Sequence, residues 1–282
     1  MRTLVIADVH GNLRALQAVL ASPEARRCQR IVSLGDQVNW GVESREVLLE
    51  LRHLGALMLL GNHEHRLRAA DDPAYAGYNW ALQRFTAAQV ADVPLAFPTD
   101  VRRGAVLFTH GTPGDCFHLI DESQVPALLD ALPGGVTHLF SGHNHRPWMV
   151  QHAGRTACNP GSVGLWENGV GGMAPFAVLE ESGRDACVTC HSAAYDLRGM
   201  KQLFLDSGAA AIAPEICRMV LHVMRTGEYQ GVLKLVRHVQ QHAAAQGLSL
   251  GHREAWQSAD PLYPWADAVR TADFWQSKEE SP

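Results

Sequence analysis

Over the first 160 positions, short apolar runs alternate with segments whose apolar residues recur every three or four positions. Residues 3–7 are almost wholly apolar, which predicts a strand buried on both faces. Residues 12–21 follow, with Leu13, Leu16, Val19 and Leu20 on one helical face. The same alternation predicts strands at 31–34, 56–60, 105–109 and 137–141, and helices at 44–54 and 123–132. From Gly61 to about Gln89 the pattern is helical and polar, and Pro94 and Pro98 close it. Strands interleaved with helices in this way predict an α/β architecture.

The character changes near residue 147. Residues 147–158 predict a hairpin turning at Ala153-Gly154, and 176–180 with 186–191 predict another turning at Ser182-Gly183. The glycine-rich stretch 169–173 reads as a flexible loop and not a phosphate cradle, because no helix follows it. Beyond about Asp196 the pattern is helical again, with Val232, Leu235, Val236 and Val239 in one stripe. The expected organisation is one domain over 1–195 and a helical C-terminal extension over 196–282. The extension carries no chemical motif. Its stripes suit docking on the rest of the chain, covering a site, or pairing two copies into a homo-oligomer, and the pattern does not choose among them.

Composition narrows the function classes. A 46% apolar share supports an ordinary core, and a net charge of −5 without a long basic run argues against an extended nucleic-acid surface. No apolar run approaches the ~20 residues of a membrane span, and the amino end lacks a signal peptide's apolar region, so a cytoplasmic protein is expected. Six scattered cysteines argue against a disulfide scaffold. Cys187 and Cys190 form a C-x-x-C, but on a strand residues three apart face opposite sides, so a structural reading is preferred to zinc or redox chemistry. The 15 histidines change the picture more, because several fall at the ends of predicted strands.

Five short motifs stand there: Asp8-Val9-His10-Gly11-Asn12, Gly35-Asp36, Gly61-Asn62-His63-Glu64, Thr109-His110-Gly111 and Gly142-His143-Asn144-His145. Each brings an oxygen or imidazole donor to the carboxyl end of a strand, where open α/β sheets place their sites. Taken singly they are weak, since a strand-end Asp commonly caps the next helix and a lone histidine is commonly packed or exposed. Together they supply the carboxylates of Asp8 and Asp36, the amide of Asn62 and the imidazoles of His10, His110, His143 and His145. Seven donors are too many for one ion. One shared carboxylate serves two, and paired ions ~3.5–4 Å apart are a recurrent device for cleaving phosphate esters.

The order D-x-H, G-D, G-N-H-E, H-G, G-H-x-H resembles the calcineurin-like metallophosphoesterase family over roughly residues 3–195. The resemblance implies an α/β fold, a two-sheet β-sandwich flanked by helices, here with a helical C-terminal extension. It implies that Asp8, His10, Asp36 and His145 hold one metal and that Asp36, Asn62, His110 and His143 hold the other. His63 would then be the catalytic histidine, close to the leaving group and not a ligand. The chemistry suits these roles. A mixed oxygen and nitrogen donor set favours Mn, Fe, Zn or Co over Mg or Ca. Two ions lower the pKa of a bridging water, and an imidazole titrating near neutrality is able to protonate the departing alkoxide. Glu64 either orients His63 or a metal-bound group, or caps the following helix.

Asn159-Pro160-Gly161-Ser162-Val163-Gly164 is similar to the N-P-G-S-V-G of small prokaryotic phosphodiesterases, which implies a turn beside the metals, with a purely structural turn as the competing reading. The protein-phosphatase branch has G-D-x-V-D-R-G, whose Arg grips phosphate, whereas here Asn39 and Trp40 fill the last variable places. Losing that cation weakens the protein-phosphatase reading. Trp40 is either a stacking surface for a base or apolar leaving group, or packing. Asn39, Trp40, Arg66 and Arg146 are thus candidate substrate contacts. The expected activity is hydrolysis of small phosphodiesters or nucleotide-like esters. The alternatives are a Ser/Thr protein phosphatase, a dinucleoside polyphosphate hydrolase, or a metal-free protein-binding scaffold. The last would have lost ligands that are all present here.

Overall fold

Ten strands form among the described residues, which in this computed structural model are 1–68, 80–183 and 185–277. β1 (Arg2–Ile6), β2 (Arg30–Ser33) and β3 (Leu57–Met58) run parallel, and the long hairpin of β9 (Met173–Ser182) and β10 (Asp185–Ala194) adds antiparallel to β1, for the order β10-β9-β1-β2-β3. The second sheet has the order β4-β5-β6-β8-β7, from β4 (Asp100–Arg103), β5 (Val106–Thr109), β6 (His138–Phe140), β7 (Trp148–His152) and β8 (Arg155–Asn159). In it β5, β6 and β8 are parallel and the edges antiparallel.

The two sheets face each other through an apolar layer that includes Val5, Ala7, Val32 and Leu34 from one and Val106, Phe108 and Phe140 from the other. Outside the first sheet lie α1 (Leu13–Ala21) and α2 (Ser44–His53), and outside the second lies α5 (Val125–Ala131). The expected two-sheet sandwich flanked by helices is therefore the observed fold. Each large apolar side chain fully buried contributes roughly 1.5–3 kcal/mol, so this layer is what offsets the burial of polar groups at its edge.

Local departures have simple causes. Paired strand β3 is two residues long where five were expected. Beyond it the extended chain still donates from Leu59 to Ser33 O and from Leu60 to Pro98 O. The polar edge strand β4 has two exposed arginines and no apolar alternation to announce it. The helix expected at 123–132 opens as a 3₁₀ turn at Glu122–Gln124 before α5. The helical pattern after Gly61 becomes α3 (Asn62–Leu67) and α4 (Trp80–Gln89), and the part of that expectation over 69–79 lies outside the described residues.

The helical C-terminal region comprises α6 (Met200–Asp206), α7 (Ala209–Ile212), α8 (Pro214–Thr226), α9 (Gln230–Ala245), α10 (Arg253–Ala259) and α11 (Thr271–Gln276). Its apolar stripes dock on the sandwich. Phe204, Val220, Leu235 and Trp256 share one core with Trp40, Val42, Leu82 and Leu165, residues of the loops and helix beside the strand ends. Among the described residues no helix is long and apolar enough to cross a membrane.

Glu215, in the first turn of α8, is 6% exposed. Burial pushes its carboxyl up from 4.5 to about 7. The folded chain thus binds a proton that the unfolded chain has lost, so stability falls as pH rises from 4.5 to about 7 and levels off above. Glu215→Gln is expected to raise the unfolding free energy by about 1–3 kcal/mol near pH 8 and by much less near pH 5. Urea denaturation at the two pH values checks this, and an equal gain at both would exclude titration of Glu215 as the cause.

Candidate metal centre

The parallel strands β1, β2 and β3 of one sheet and β5 and β6 of the other all end at the same edge of the sandwich. Asp8 and His10 follow β1, Asp36 follows β2, Asn62 opens α3, His110 leaves β5, and His143 and His145 leave β6. The turns are abrupt. Asp8, His10, Asp36, Asn39, Trp40 and His143 all have φ between 49° and 71°, six of the eight positive-φ non-glycine residues described. Such left-handed conformations cost of order 1–3 kcal/mol each and mark functional sites when the surroundings hold them. Here the turns after β1 and β2 hold each other, through Asp8 N–H to Gly35 O, His10 N–H to Asp36 O and Gly11 N–H to Gln37 O at 2.9–3.1 Å. Gly61 is required, since a Cβ there would collide with the main-chain nitrogen and Oδ1 of Asp36.

Ring orientation follows from backbone acceptors. A carbonyl accepts only, so a ring nitrogen beside one carries the proton. His10 Nδ1 donates to Val38 O at 3.2 Å, His110 Nδ1 to Leu34 O at 3.0 Å and His145 Nδ1 to Leu165 O at 2.9 Å. Each therefore turns Nε2 inward. His143 is reversed, with Nε2 donating to Phe117 O at 3.2 Å, which leaves Nδ1 as its free donor atom. Inside, His10 Nε2 and His145 Nε2 are 3.1 Å apart, and Asp8 Oδ1 lies 3.6 Å from His145 Nε2. Asp36 Oδ2 is 3.3 Å from His110 Nε2 and 3.9 Å from the Nε2 atoms of His10 and His63. Asn62 Oδ1 is 3.0 Å from His110 Nε2. Asp8 Oδ1 is buried and has no hydrogen-bond partner among the described residues.

Acceptors facing acceptors in a buried space repel unless positive charge lies between them. The titration behaviour has the same origin. Burial, with His63 adding, pushes His10 down to about 3, and burial pushes His143 down to about 4 and His145 well below the usual range. Burial also pulls at His110, but Asp36, Asp8 and Glu64 outweigh it and hold that imidazole up at about 9. Burial, reinforced by Asp36 and Glu64, lifts Asp8 to about 8. Burial would lift Asp36 too, but His110, His63 and His10 around it keep it well below its usual value. The donor types and their convergence fit cations. The sets Asp8, His10, His145 and Asp36, His110, His143 could each hold one, as could His10, Asp36, His63.

The remaining predicted residues divide. His63 is 4% exposed, with the Asn39 side-chain amide 2.9 Å from Nδ1 and the Trp40 indole N–H donating to Nε2 at 3.2 Å. Trp40 is fully buried in the core shared with the C-terminal helices and Asn39 is fully buried beside it. Expected as substrate contacts, both lie buried against the His63 ring, in a turn where each has a left-handed φ. The expectation that His63 titrates near neutrality also changes, because burial pushes its imidazole down to about 3. Arg66 is half-buried over the Phe117 ring at 5.4 Å, and its charge is felt by His63 and His143. Arg146 is exposed and acts on Asp121.

Glu64 caps and stitches without reaching His63. Its Oε2 accepts from Gly61 N–H and Asp36 N–H and its Oε1 from Val38 N–H, at 2.9–3.1 Å. The segment 159–164 is likewise a clamp. Asn159 Nδ2 donates to Gly142 O, Ser162 Oγ to Asp8 O, Val163 N–H to Ala7 O and Gly164 N–H to Asp8 O. It ties the end of β1 to the β6 loop. Unforeseen is Tyr229, from the turn between α8 and α9, whose ring stacks on His145 at 3.8 Å and 28°. No motif in that region signalled it.

A family model described as the calcineurin-like phosphoesterase superfamily domain matches residues 1–183. An uncharacterized protein of Methanocaldococcus jannaschii is 26% identical over 218 residues, 69% of this chain and 88% of that one. Among solved structures, a metallophosphoesterase from Sphaerobacter thermophilus aligns with a TM-score of 0.65 at 25% identity, covering 79% of this chain and 100% of its own. A hypothetical protein from Pyrococcus horikoshii OT3 shares the fold, with a TM-score of 0.66 at 16% identity over 80% and 98% of the two chains.

Burial of Trp40 sets an expectation opposite to that for a substrate platform. Trp40→Ala should lower the unfolding free energy by roughly 3–5 kcal/mol, read from denaturant melts. Unchanged stability with a raised KM would restore the stacking role.

Proposed function

Because the chain belongs to the calcineurin-like phosphoesterase superfamily and is thereby a phosphate-ester hydrolase, we propose that it uses two transition-metal ions that share Asp36, and that it acts on phosphodiesters or nucleotide-like esters. The observation that carries this reading is the position of Asp36 Oδ2, 3.3–3.9 Å from three imidazole nitrogens between the two sets of inward acceptors. Asp8, His10, Asp36 and His145 would hold one ion, and Asp36, Asn62, His110 and His143 the other. Mn, Fe, Zn or Co suits such a donor set. When bound, the pair supplies a nucleophilic water at neutral pH and offsets the charge of the phosphate.

The chain's own groups do the rest. His63 is the residue surplus to the ligand set and sits against Asp36. It serves as the general acid for the leaving oxygen, a role that requires Nε2 to exchange its contact with the Trp40 N–H for one with substrate. The negative charge of a bound phosphate favours the protonated ring against the burial that now disfavours it. Arg66, within electrostatic reach of His63 and His143, is placed to pair with phosphate oxygens. The preference for small esters over phosphoproteins is supported by Trp40, which fills the place in the Gly35–Gly41 motif where the similar protein-phosphatase motif has its Arg, and brings no cation.

Metal analysis of the purified protein is expected to give two ions per chain. Asp36→Asn should reduce both occupancies and abolish hydrolysis of a chromogenic diester. One ion per fully active chain would overturn the two-ion reading.

His63→Ala is expected to lower kcat by about 10²–10⁴ with both ions retained. The loss should be largest for alkyl esters, since nitrophenolate departs without a proton. Equal losses on nitrophenyl and alkyl esters together with a missing ion would make His63 a ligand instead.

A further inference from the structure

We infer that Tyr229 is a positioning residue for His145, so that the C-terminal helical region completes the metal centre. The inference rests on the two-ion reading above, because it concerns how one proposed ligand is aimed. His145 is 3% exposed, and its supports come from two directions. From below, Leu165 O accepts from Nδ1, and the main-chain oxygen of His145 accepts from Ser162 N–H and Glu167 N–H at 3.3 Å. From above, the Tyr229 ring lies on the imidazole at 3.8 Å between centroids and 28° between planes. The contacts at Nδ1 with Leu165 O and at Nε2 with His10 lie along the ring edge and leave it able to tilt about that line, and a flat face pressed on it opposes that tilt. The direction of Nε2 toward Asp8 and His10 is thereby set.

Tyr229 is held in place by an interlock of backbones. α8 ends at Gly227, whose left-handed φ of 69° turns the chain, as a helix-terminating glycine does. The Gly227 carbonyl accepts from both Asn168 N–H and Gly169 N–H, Met224 O accepts from Gly172 N–H, and Glu167 Oε2 accepts from Gln230 N–H. A Cβ on Gly171 would run into Arg225 O, and one on Gly227 would stand 2.5 Å from Val170 N. The stretch 169–173, expected to be a flexible loop, is therefore locked against the α8–α9 turn. Leu165 and Glu167 stand earlier in the same connection between β8 and β9, so both supports of His145 are set by one contact surface.

Groups that orient a ligand without touching the metal typically affect affinity 10–100-fold when removed. Isothermal titration of the metal-free full-length chain with Mn²⁺ tests the proposal. Tyr229→Ala is expected to weaken the ion at Asp8, His10 and His145 by about tenfold or more and to leave the ion at Asn62, His110 and His143 unchanged. Tyr229→Phe, which keeps the ring, should restore wild-type binding, and kcat should fall in Tyr229→Ala with KM nearly constant when metal is limiting. Tyr229→Leu, with circular dichroism and a thermal melt on each variant, distinguishes lost folding from lost positioning. Well-folded Ala and Leu variants that bind both ions as tightly as wild type overturn the role of Tyr229. A wild-type chain that binds fewer than two ions overturns the two-ion reading instead.

Discussion

Everything at this edge of the sandwich follows from one electrostatic constraint: a buried space into which oxygen and nitrogen lone pairs point from every side. Two carboxylates, one amide oxygen and the inward nitrogens of His10, His110 and His145 crowd within a few ångströms of Asp36 and Asp8. Such a set is unfavourable without compensating charge, since burying a polar group without a partner costs on the order of 1–3 kcal/mol and a bare charge far more. The chain alone answers with protons, held on His110 and Asp8 at neutral pH. A cation answers better, because it satisfies several lone pairs at once.

Holding that arrangement together requires a frame stiffer than the site itself. Backbone carbonyls of Val38, Leu34, Leu165 and Phe117 choose the tautomer of each imidazole. Glu64 gathers three N–H groups of the two loops that carry Asp36 and Asn62, and the 159–164 segment joins the β1 and β6 exits. Six left-handed non-glycine residues persist within this frame. Their strain is tolerable because the apolar layer between the sheets fixes where each strand ends.

The sequence made much of this legible, for a physical reason. Strand-end motifs are local, so Asp8, His10, Asp36, Asn62, His110, His143 and His145 declared themselves by position after an apolar run, and the structure brings them together. What stayed hidden depends on direction and on distant chain. That Trp40 lies buried against His63 goes with a left-handed turn that composition does not encode, and many of its partners in the core lie in helices α6 to α10. The downward pull on His63 comes from burial, which no spacing reports. Strand β4 was missed because a polar edge strand lacks alternation, and Tyr229 because 84 positions separate it from His145 in the chain.

The core that Trp40 shares with the C-terminal helices also orders events in time. Synthesis proceeds from the amino end, so the turn bearing Asn39 and Trp40 leaves the ribosome well before residues 204, 220 and 235 exist to cover it. Until they arrive, a large indole lacks much of its cover, although every residue of the candidate centre up to His145 has already been made. The donors of the candidate centre are therefore made before the helices that cover Trp40 behind His63 and lay Tyr229 on His145. A growing chain of this design completes the surroundings of that centre only when its last third has folded onto the rest.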